Sequence, residues 1–221
     1  MNNLNVLYED NHIIVVEKKP NVLSQSDNTK DLDLLTMTKN YIKEKYKKLG
    51  NVYLGLVHRL DRPVGGIMVF ARTSKSASRL TKMIQNHEIL KEYLLVCEGN
   101  IKGSGVFEDY IDRRDNKSYI SKNGKYAKLE YRVLQKIENL SLVKVNLITG
   151  RHHQIRVQFA SRNYPLYGDQ LYGKENKKQI MLYAYHIRFK HPVRDEIMDF
   201  MLLPKGELWN LFNINEGVNN E

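Results

Sequence analysis

Three apolar runs decide most of what this chain can become: Ile13-Ile14-Val15-Val16, Ile67-Met68-Val69-Phe70-Ala71 and Tyr93-Leu94-Leu95-Val96-Cys97. Each is bounded by charged residues or by glycine and is too short for a helix buried on every side. Runs of this kind read as strands inside a sheet. None approaches the ~20 residues a membrane helix needs. With 221 residues the chain is long enough for one domain with a sizeable core or for two small ones.

The remaining pattern adds strands and a few helices. Val6 to His12 and Ile13 to Pro20 read as a hairpin turning at Asp10-Asn11. Asn51 to Val57, Leu129 to Leu134, Ser141 to Leu147 and Met181 to Pro192 read as further strands, and Met198, Phe200 and Leu202 keep strand spacing. Asp31 to Gly50 has helical spacing, with Leu34, Leu35, Thr38, Tyr41, Ile42, Lys45 and Leu49 on one stripe and Gly50 as the stop. Lys43, Lys45, Lys47 and Lys48 make its end basic. Thr73 caps a second helix, with Ala77, Leu80, Met83 and Ile84 at helical intervals to about Asn86. Ile155 and Phe159 are one helical turn apart, and Trp209 anchors a short helix after Pro204. The residues from Asn213 to Glu221 read as frayed. Strands interspersed with few helices make an α+β class, and there are no internal repeats.

Charge narrows the partners. Against 25 Asp and Glu stand 35 Lys and Arg, a formal net charge of +10. That balance favours a polyanion, nucleic acid before membrane. The single cysteine, Cys97, has no partner for an intramolecular disulfide and reads as a small buried hydrophobe of a cytoplasmic protein. The first residues lack the pattern of a signal peptide.

The chemistry concentrates in Val57-His58-Arg59-Leu60-Asp61-Arg62-Pro63-Val64-Gly65-Gly66. Pro63 cannot donate to a ladder, so pairing should falter there. Gly65 and Gly66 permit a tight bend or the close approach of another backbone. Asp61 is then expected at a strand-to-loop edge, presented rather than buried. A carboxylate between two arginines fits either a nucleophile held ionised by its neighbours or a structural ion pair at a strand end.

That stretch, continued by Ile67 to Thr73, resembles the catalytic motif of the RluA family of pseudouridine synthases, in which the Asp of His-Arg-Leu-Asp is catalytic. The resemblance recurs along about residues 4 to 212. Lys19-Pro20 is similar to a family segment ending Lys-Pro-x-Gly, with Val22 where the Gly is expected. Lys91-Glu92-Tyr93 resembles its Lys-x-Tyr strand, whose Tyr lies in the active site. Thr149-Gly150-Arg151-His152-His153-Gln154-Ile155-Arg156 resembles its second signature, with Gln158 replacing a common His at a position taken as peripheral. Gly168-Asp169-Gln170-Leu171-Tyr172-Gly173 matches a Gly-Asp-x-x-Tyr-Gly loop, and Leu182-Tyr183-Ala184 resembles Leu-His-Ala.

The resemblance implies one catalytic domain over residues 1–221, without the extra RNA-binding domain that many members carry ahead of it. It implies a pseudouridine synthase fold: a mixed, mainly antiparallel central sheet, flanking helices and loops, and a basic active-site cleft. Asp61, Tyr93 and Arg156 become the catalytic set, with Arg156 paired to Asp61. His58, Arg59, Arg62, Arg151, His153, Gln154 and Leu182 become the RNA and uracil contacts. The implied reaction breaks the glycosidic bond of a uridine in ribosomal or transfer RNA, turns the uracil and rejoins it through carbon 5. No atom is gained or lost, so no cofactor is expected, and the partner is RNA, bound by a monomer.

Other readings are weighed on residues. Adjacent His152 and His153 invite a metal, but spaced His, Cys or Asp partners are missing from the sequence, so no metal is expected. Residues 101–128 read as a hairpin or a long excursion from the core, and Arg113, Arg114, Lys117, Lys122, Lys125 and Lys128, interleaved with Tyr110, Tyr119 and Tyr126, fit an RNA-facing surface or an ordinary solvated loop. A catalytically inactive RNA-binding protein that keeps the fold predicts decay at Asp61, Tyr93 or Arg156, yet all three match. A hydrolase of phosphorylated substrates predicts further carboxylates near the motif, which offers none.

Overall fold

A computed structural model describes residues 4–29, 31–174 and 178–214. They form two compact units: the residues up to Ile89 together with Ile187–Leu202, and Leu90–His186 together with the residues from Leu203 onward.

In the first unit β1 (Val6–Glu9) and β2 (Ile13–Lys18) form the expected hairpin. Asp10 closes it, its Oδ1 accepting the N–H groups of His12 and Ile13 at 2.8 Å each. The next turn departs from expectation. The Val22 N–H donates to the Lys19 carbonyl, and Asn21 takes the left-handed conformation (φ 66°). Pro20 and Asn21 are suited to the two central positions of such a turn, so the residue doing glycine's work is Asn21, one place before Val22.

Helix α1 (Leu34–Lys45) is capped by Asp33, whose carboxylate accepts the Thr36 N–H. It buries Leu34, Thr38 and Ile42. Gly50 is not its stop. Lys47 adopts the left-handed conformation (φ 48°), and the N–H groups of Lys47 and Lys48 return to the carbonyls of Glu44 and Lys43. This closing motif accommodates a lysine in glycine's usual place, and it leaves Leu49 fully exposed rather than on the buried stripe.

Only β3 (Gly55–Leu56) forms from the strand expected over Asn51 to Val57. β4 (Gly65–Ala71) is buried along its whole length and pairs with β2, Ile13 opposite Ala71 through Lys18 opposite Gly66. The two glycines therefore open the strand instead of bending the chain, with Gly66 at φ 133°. Helix α2 (Ser74–Gln85), capped by Thr73, lays Leu80 into a core of Ile13, Val15, Ile67 and Val69. Strand β10 (Leu182–Lys190) starts in the second unit and ends in the first, where Ile187 and Phe189 join that core. β11 (Ile197–Met201) pairs with β10.

The second unit is an antiparallel sheet of β5 (Leu90–Glu98), β6 (Ser104–Arg114), β7 (Lys117–Ile120), β8 (Lys125–Ile137) and β9 (Leu140–Leu147), in the order β5-β9-β8-β6-β7. Residues 101–128 are thus mostly regular strand. Phe107 and Ile111 point inward while Val106, Glu108 and Tyr110 face solvent. This period-two alternation is that of a half-buried strand whose outer face is polar. Helix α3 (Gln154–Ala160) packs on the inner face, Phe159 edge-on to Phe107 at 5.1 Å between ring centroids and Val157 against Ile111 and Ala127. Gln158 is fully buried, not peripheral, and donates to Asp109 at 2.7 Å. Helix α4 (Glu207–Asn210) buries Trp209. The chain stays anchored beyond it: Asn213 N–H donates to Gln135 at 2.9 Å and Ile214 is buried. The rest of the expected frayed tail lies outside the described residues. The whole is a mainly antiparallel α+β fold.

Candidate active site

Asp61 sits in the irregular stretch between β3 and β4, half-buried. Backbone groups there have no ladder, and each unpaired buried one is costly. Side chains of the first unit supply the partners. Ser24, itself buried, donates its hydroxyl to the Leu60 carbonyl at 2.7 Å and accepts the Leu60 N–H at 3.2 Å. Lys18 Nζ donates to the carbonyls of Val64 at 2.6 Å, Arg62 at 2.9 Å and Lys19 at 3.3 Å. The Val64 N–H closes a turn onto the Asp61 carbonyl at 3.0 Å. His58 Nε2 accepts the Val69 N–H at 3.0 Å, which in a neutral ring leaves the proton on Nδ1. Arg62, exposed, pairs with Asp31 at 2.6 Å. Asp61 is therefore held from both sides in sequence, through residues 58, 60, 62 and 64. Arg59 is exposed. Burial drives the Lys18 ammonium down to about 7, with the Asp61 charge opposing that fall and Arg62 adding to it.

The second cluster lies in the other unit, at the entry to α3. His153 takes the left-handed conformation (φ 53°). Its Nδ1 is 3.0 Å from the Tyr172 hydroxyl, which also accepts the Ser118 N–H at 2.7 Å. His152 stacks on His153 with ring centroids 3.7 Å apart, and its carbonyl accepts from Ser118 Oγ at 2.7 Å. Gln154 is buried. Its Oε1 accepts from the Thr149 hydroxyl (2.7 Å) and the Arg151 N–H (3.0 Å), and its amide nitrogen donates to the Lys128 carbonyl at 3.1 Å. The Gln154 side chain is scaffold for the turn that precedes α3. Arg151 is exposed and donates through Nε to the Tyr126 carbonyl at 2.8 Å.

Arg156 is buried and forked onto Asp169, Nε to Oδ2 at 2.8 Å and Nη2 to Oδ1 at 2.7 Å. Asp169 Oδ1 also accepts the N–H groups of Leu171 and Tyr172, at 3.0 and 3.2 Å. The guanidinium lies 5.2 Å from the Tyr172 ring centroid. Two of the five donors of a guanidinium serve Asp169. Burial raises the Tyr172 phenol above its ordinary value, keeping it a neutral donor. Tyr93 and Leu182 are buried in the same unit, Tyr93 opposite Val145 in the β5–β9 ladder. Next to Tyr93, Glu92 accepts from His186 Nδ1 at 2.6 Å and the Tyr185 hydroxyl at 3.0 Å, and meets Lys144 at 3.3 Å.

A clamped carboxylate in the stretch after β3, and a buried arginine on the helix that follows a Thr-Gly-Arg turn, can be set beside known proteins. The family model for RNA pseudouridylate synthase matches residues 12–161. The chain belongs to the RNA pseudouridylate synthase family. Members of this family are isomerases that act on RNA. An "Uncharacterized RNA pseudouridine synthase" of Aquifex aeolicus is 35% identical over 215 residues, covering 89% of this chain and 68% of the relative. The "Ribosomal large subunit pseudouridine synthase D" of Vibrio cholerae is 32% identical over 218 residues, covering 89% and 66%, and that of Yersinia pestis 31% over 231 residues, covering 95% and 70%. The chain thus spans about two thirds of these relatives' length. The fold is also that of human RNA Pseudouridylate Synthase Domain Containing 4, with TM-score 0.78 at 21% identity over 94% of this chain and 91% of that one.

For this synthase the sequence picked out Asp61 and Arg156 but missed the residues that hold them. Lys18 lies within the run Ile13 to Pro20 with nothing to single it out, and Ser24 belongs to no motif. Nothing in their local pattern signals burial, because their partners are 36 to 46 residues away. Asp169 was visible within its loop, but its bond to Arg156 was not. Among the described residues no group of three or more His, Cys, Asp or Glu is placed to hold a metal ion.

Proposed function

We propose that this chain converts specific uridines of ribosomal RNA to pseudouridine, with Asp61 as the reacting carboxylate, Arg156 as its cationic partner and Tyr93 against the uracil. The observation that carries the reading is the clamp on Asp61: Lys18 and Ser24 hold the backbone on either side of a half-buried carboxylate, while His58 ties to the Val69 N–H and Arg62 to the Asp31 carboxylate. Such fixation suits a group that must meet one atom of a bound nucleotide. The names of the relatives from Vibrio cholerae and Yersinia pestis favour large-subunit ribosomal RNA over transfer RNA as the first substrate to test.

In this reading the target uridine leaves its stack to reach the carboxylate. The positive charge of Arg156 favours the ionised form of Asp61 in the reaction. The glycosidic bond breaks, the free uracil turns while Tyr93 and Leu182 confine it, carbon 5 joins the sugar, and the proton on carbon 5 leaves. The Tyr93 hydroxyl is suited to assist that last proton transfer. Arg59, Arg62 and Arg151, all exposed, and His58 and His153 beside them in sequence, contribute contacts to the RNA. Both compact units act together as one catalytic domain.

The test is to incubate the protein with ribosomal RNA from cells that lack it and to map pseudouridine chemically. New pseudouridine with wild type and none with Asp61→Asn supports the reading. RNA binding with no product from wild type overturns it in favour of an inactive RNA-binding protein.

A further inference from the structure

Lys18 is wholly buried, yet it sits at the end of a strand where a lysine normally reaches water. Its Nζ meets three backbone carbonyls, and two of them, Arg62 and Val64, lie one and three residues beyond Asp61. An ammonium has three N–H donors and no lone pair. Three converging oxygens therefore fit the protonated form, whereas a neutral amine would turn its lone pair toward one of them. The charged groups acting on Lys18 are Asp61, which favours the ammonium, and Arg62, which opposes it; burial opposes it more strongly than either. A buried cation of this kind is costly, and a methionine would fill similar volume without the desolvation. The stretch around Asp61 has no ladder of its own, so its shape depends on such side-chain ties.

We propose that Lys18 is a positioning residue for Asp61: anchored on the Arg62 and Val64 carbonyls, its ammonium sets the loop that presents the carboxylate and supplies a fixed positive charge beside it from the same unit. This deepens the proposed reaction and rests on Asp61 being its carboxylate. The protonated form is the one the three carbonyls fit, so the rate of the chemical step falls as the pH rises through about 7, where burial places the Lys18 midpoint.

Two experiments on the full chain test it. The first needs no RNA: nuclear magnetic resonance of the Lys18 side chain across pH. The Lys18 midpoint moves down in Asp61→Asn, because the favourable charge is gone; an unmoved midpoint overturns the proposal. Because this arm does not depend on activity, it also separates failure of the proposal from failure of the pseudouridine reading, which would appear as a wild type that makes no product. The second is single-turnover pseudouridine formation with melting temperatures recorded in parallel. Lys18→Met lowers the rate about a hundredfold while RNA affinity stays within about twofold, as for a misplaced reacting group. Lys18→Arg, charged at every pH tested, recovers most of the rate and removes its alkaline fall. A purely structural lysine would lower the melting temperature and leave the pH profile in place; that result, or a Lys18→Met rate within about threefold of wild type, overturns the proposal.

Discussion

Arg156 and Asp169 face each other through two near-parallel hydrogen bonds of 2.8 and 2.7 Å, with Asp169 wholly buried and Arg156 nearly so. The fork fixes the plane of the guanidinium, and the Leu171 and Tyr172 N–H groups fix the carboxylate in turn. A buried pair of this kind is damaging to break from one side, since the remaining ion is left uncompensated. Asp169→Ala is therefore expected to destabilise the fold by about 3–5 kcal/mol in urea denaturation. Arg156→Met combined with Asp169→Leu recovers much of that loss, because neither ion remains, but makes no pseudouridine. A double variant no more stable than Asp169→Ala would mean that the pair does not carry the effect.

Gly168, just before that aspartate, has φ 77°, and a Cβ built on it would lie 2.2 Å from the Gln179 carbonyl oxygen. Backbone cannot yield cheaply at that distance. Gly168→Ala should shift the loop carrying Asp169 and cost more than about 2 kcal/mol, combining left-handed strain with the clash. Equilibrium unfolding of the variant checks the size, and a near-neutral result would mean that the loop is free to move.

The elements that could be read in the sequence are those whose rules are local. Thr73 and the apolar spacing of Ala77, Leu80, Met83 and Ile84 specify α2 without help from elsewhere. The run from Ile67 to Ala71 specifies a strand buried on both faces. Asp61, Arg156 and the loop around Asp169 were legible only as a resemblance to a family. What stayed hidden depends on distant partners. The end of α1 was misplaced because Lys47, not a glycine, takes the left-handed position. The hairpin and the later part of β8 could be read, but the bounds of β6 and the start of β8 could not, because their outer faces carry charges and tyrosines while the alternating inner residues are few. Lys18 was unremarkable until Gly66, Arg62 and Val64 were placed around it.

Arg59 is exposed within the motif, and in the proposed reaction it meets RNA phosphate. Arg59→Ala should weaken RNA binding for all sequences alike and reduce the slope of log affinity against log salt by about 1. The melting temperature should hardly change, because no buried group is disturbed. Fluorescence titration of ribosomal RNA fragments at several salt concentrations makes the measurement. An unchanged slope would place the Arg59 guanidinium away from the phosphates.

Glu92 offers a test in pH that is independent of RNA. Burial alone would raise its carboxyl, but the bonds from His186 and Tyr185 and the charge of Lys144 outweigh burial and hold it below the ordinary glutamate value. A carboxyl whose folded value is depressed contributes stability that is fully present above the unfolded value and is lost as the pH falls through the folded one. Wild type should therefore lose stability progressively as the pH is lowered below about 4.5, the ordinary glutamate value. Glu92→Gln should be less stable at neutral pH, because Lys144 loses its counter-charge at 3.3 Å, and its acid loss should be shallower. The measurement is the urea midpoint of both proteins from pH 3 to 7. Parallel curves would show that Glu92 titrates alike in the folded and unfolded chains and that its cluster sets geometry alone, holding the strand on which Tyr93 is the next residue.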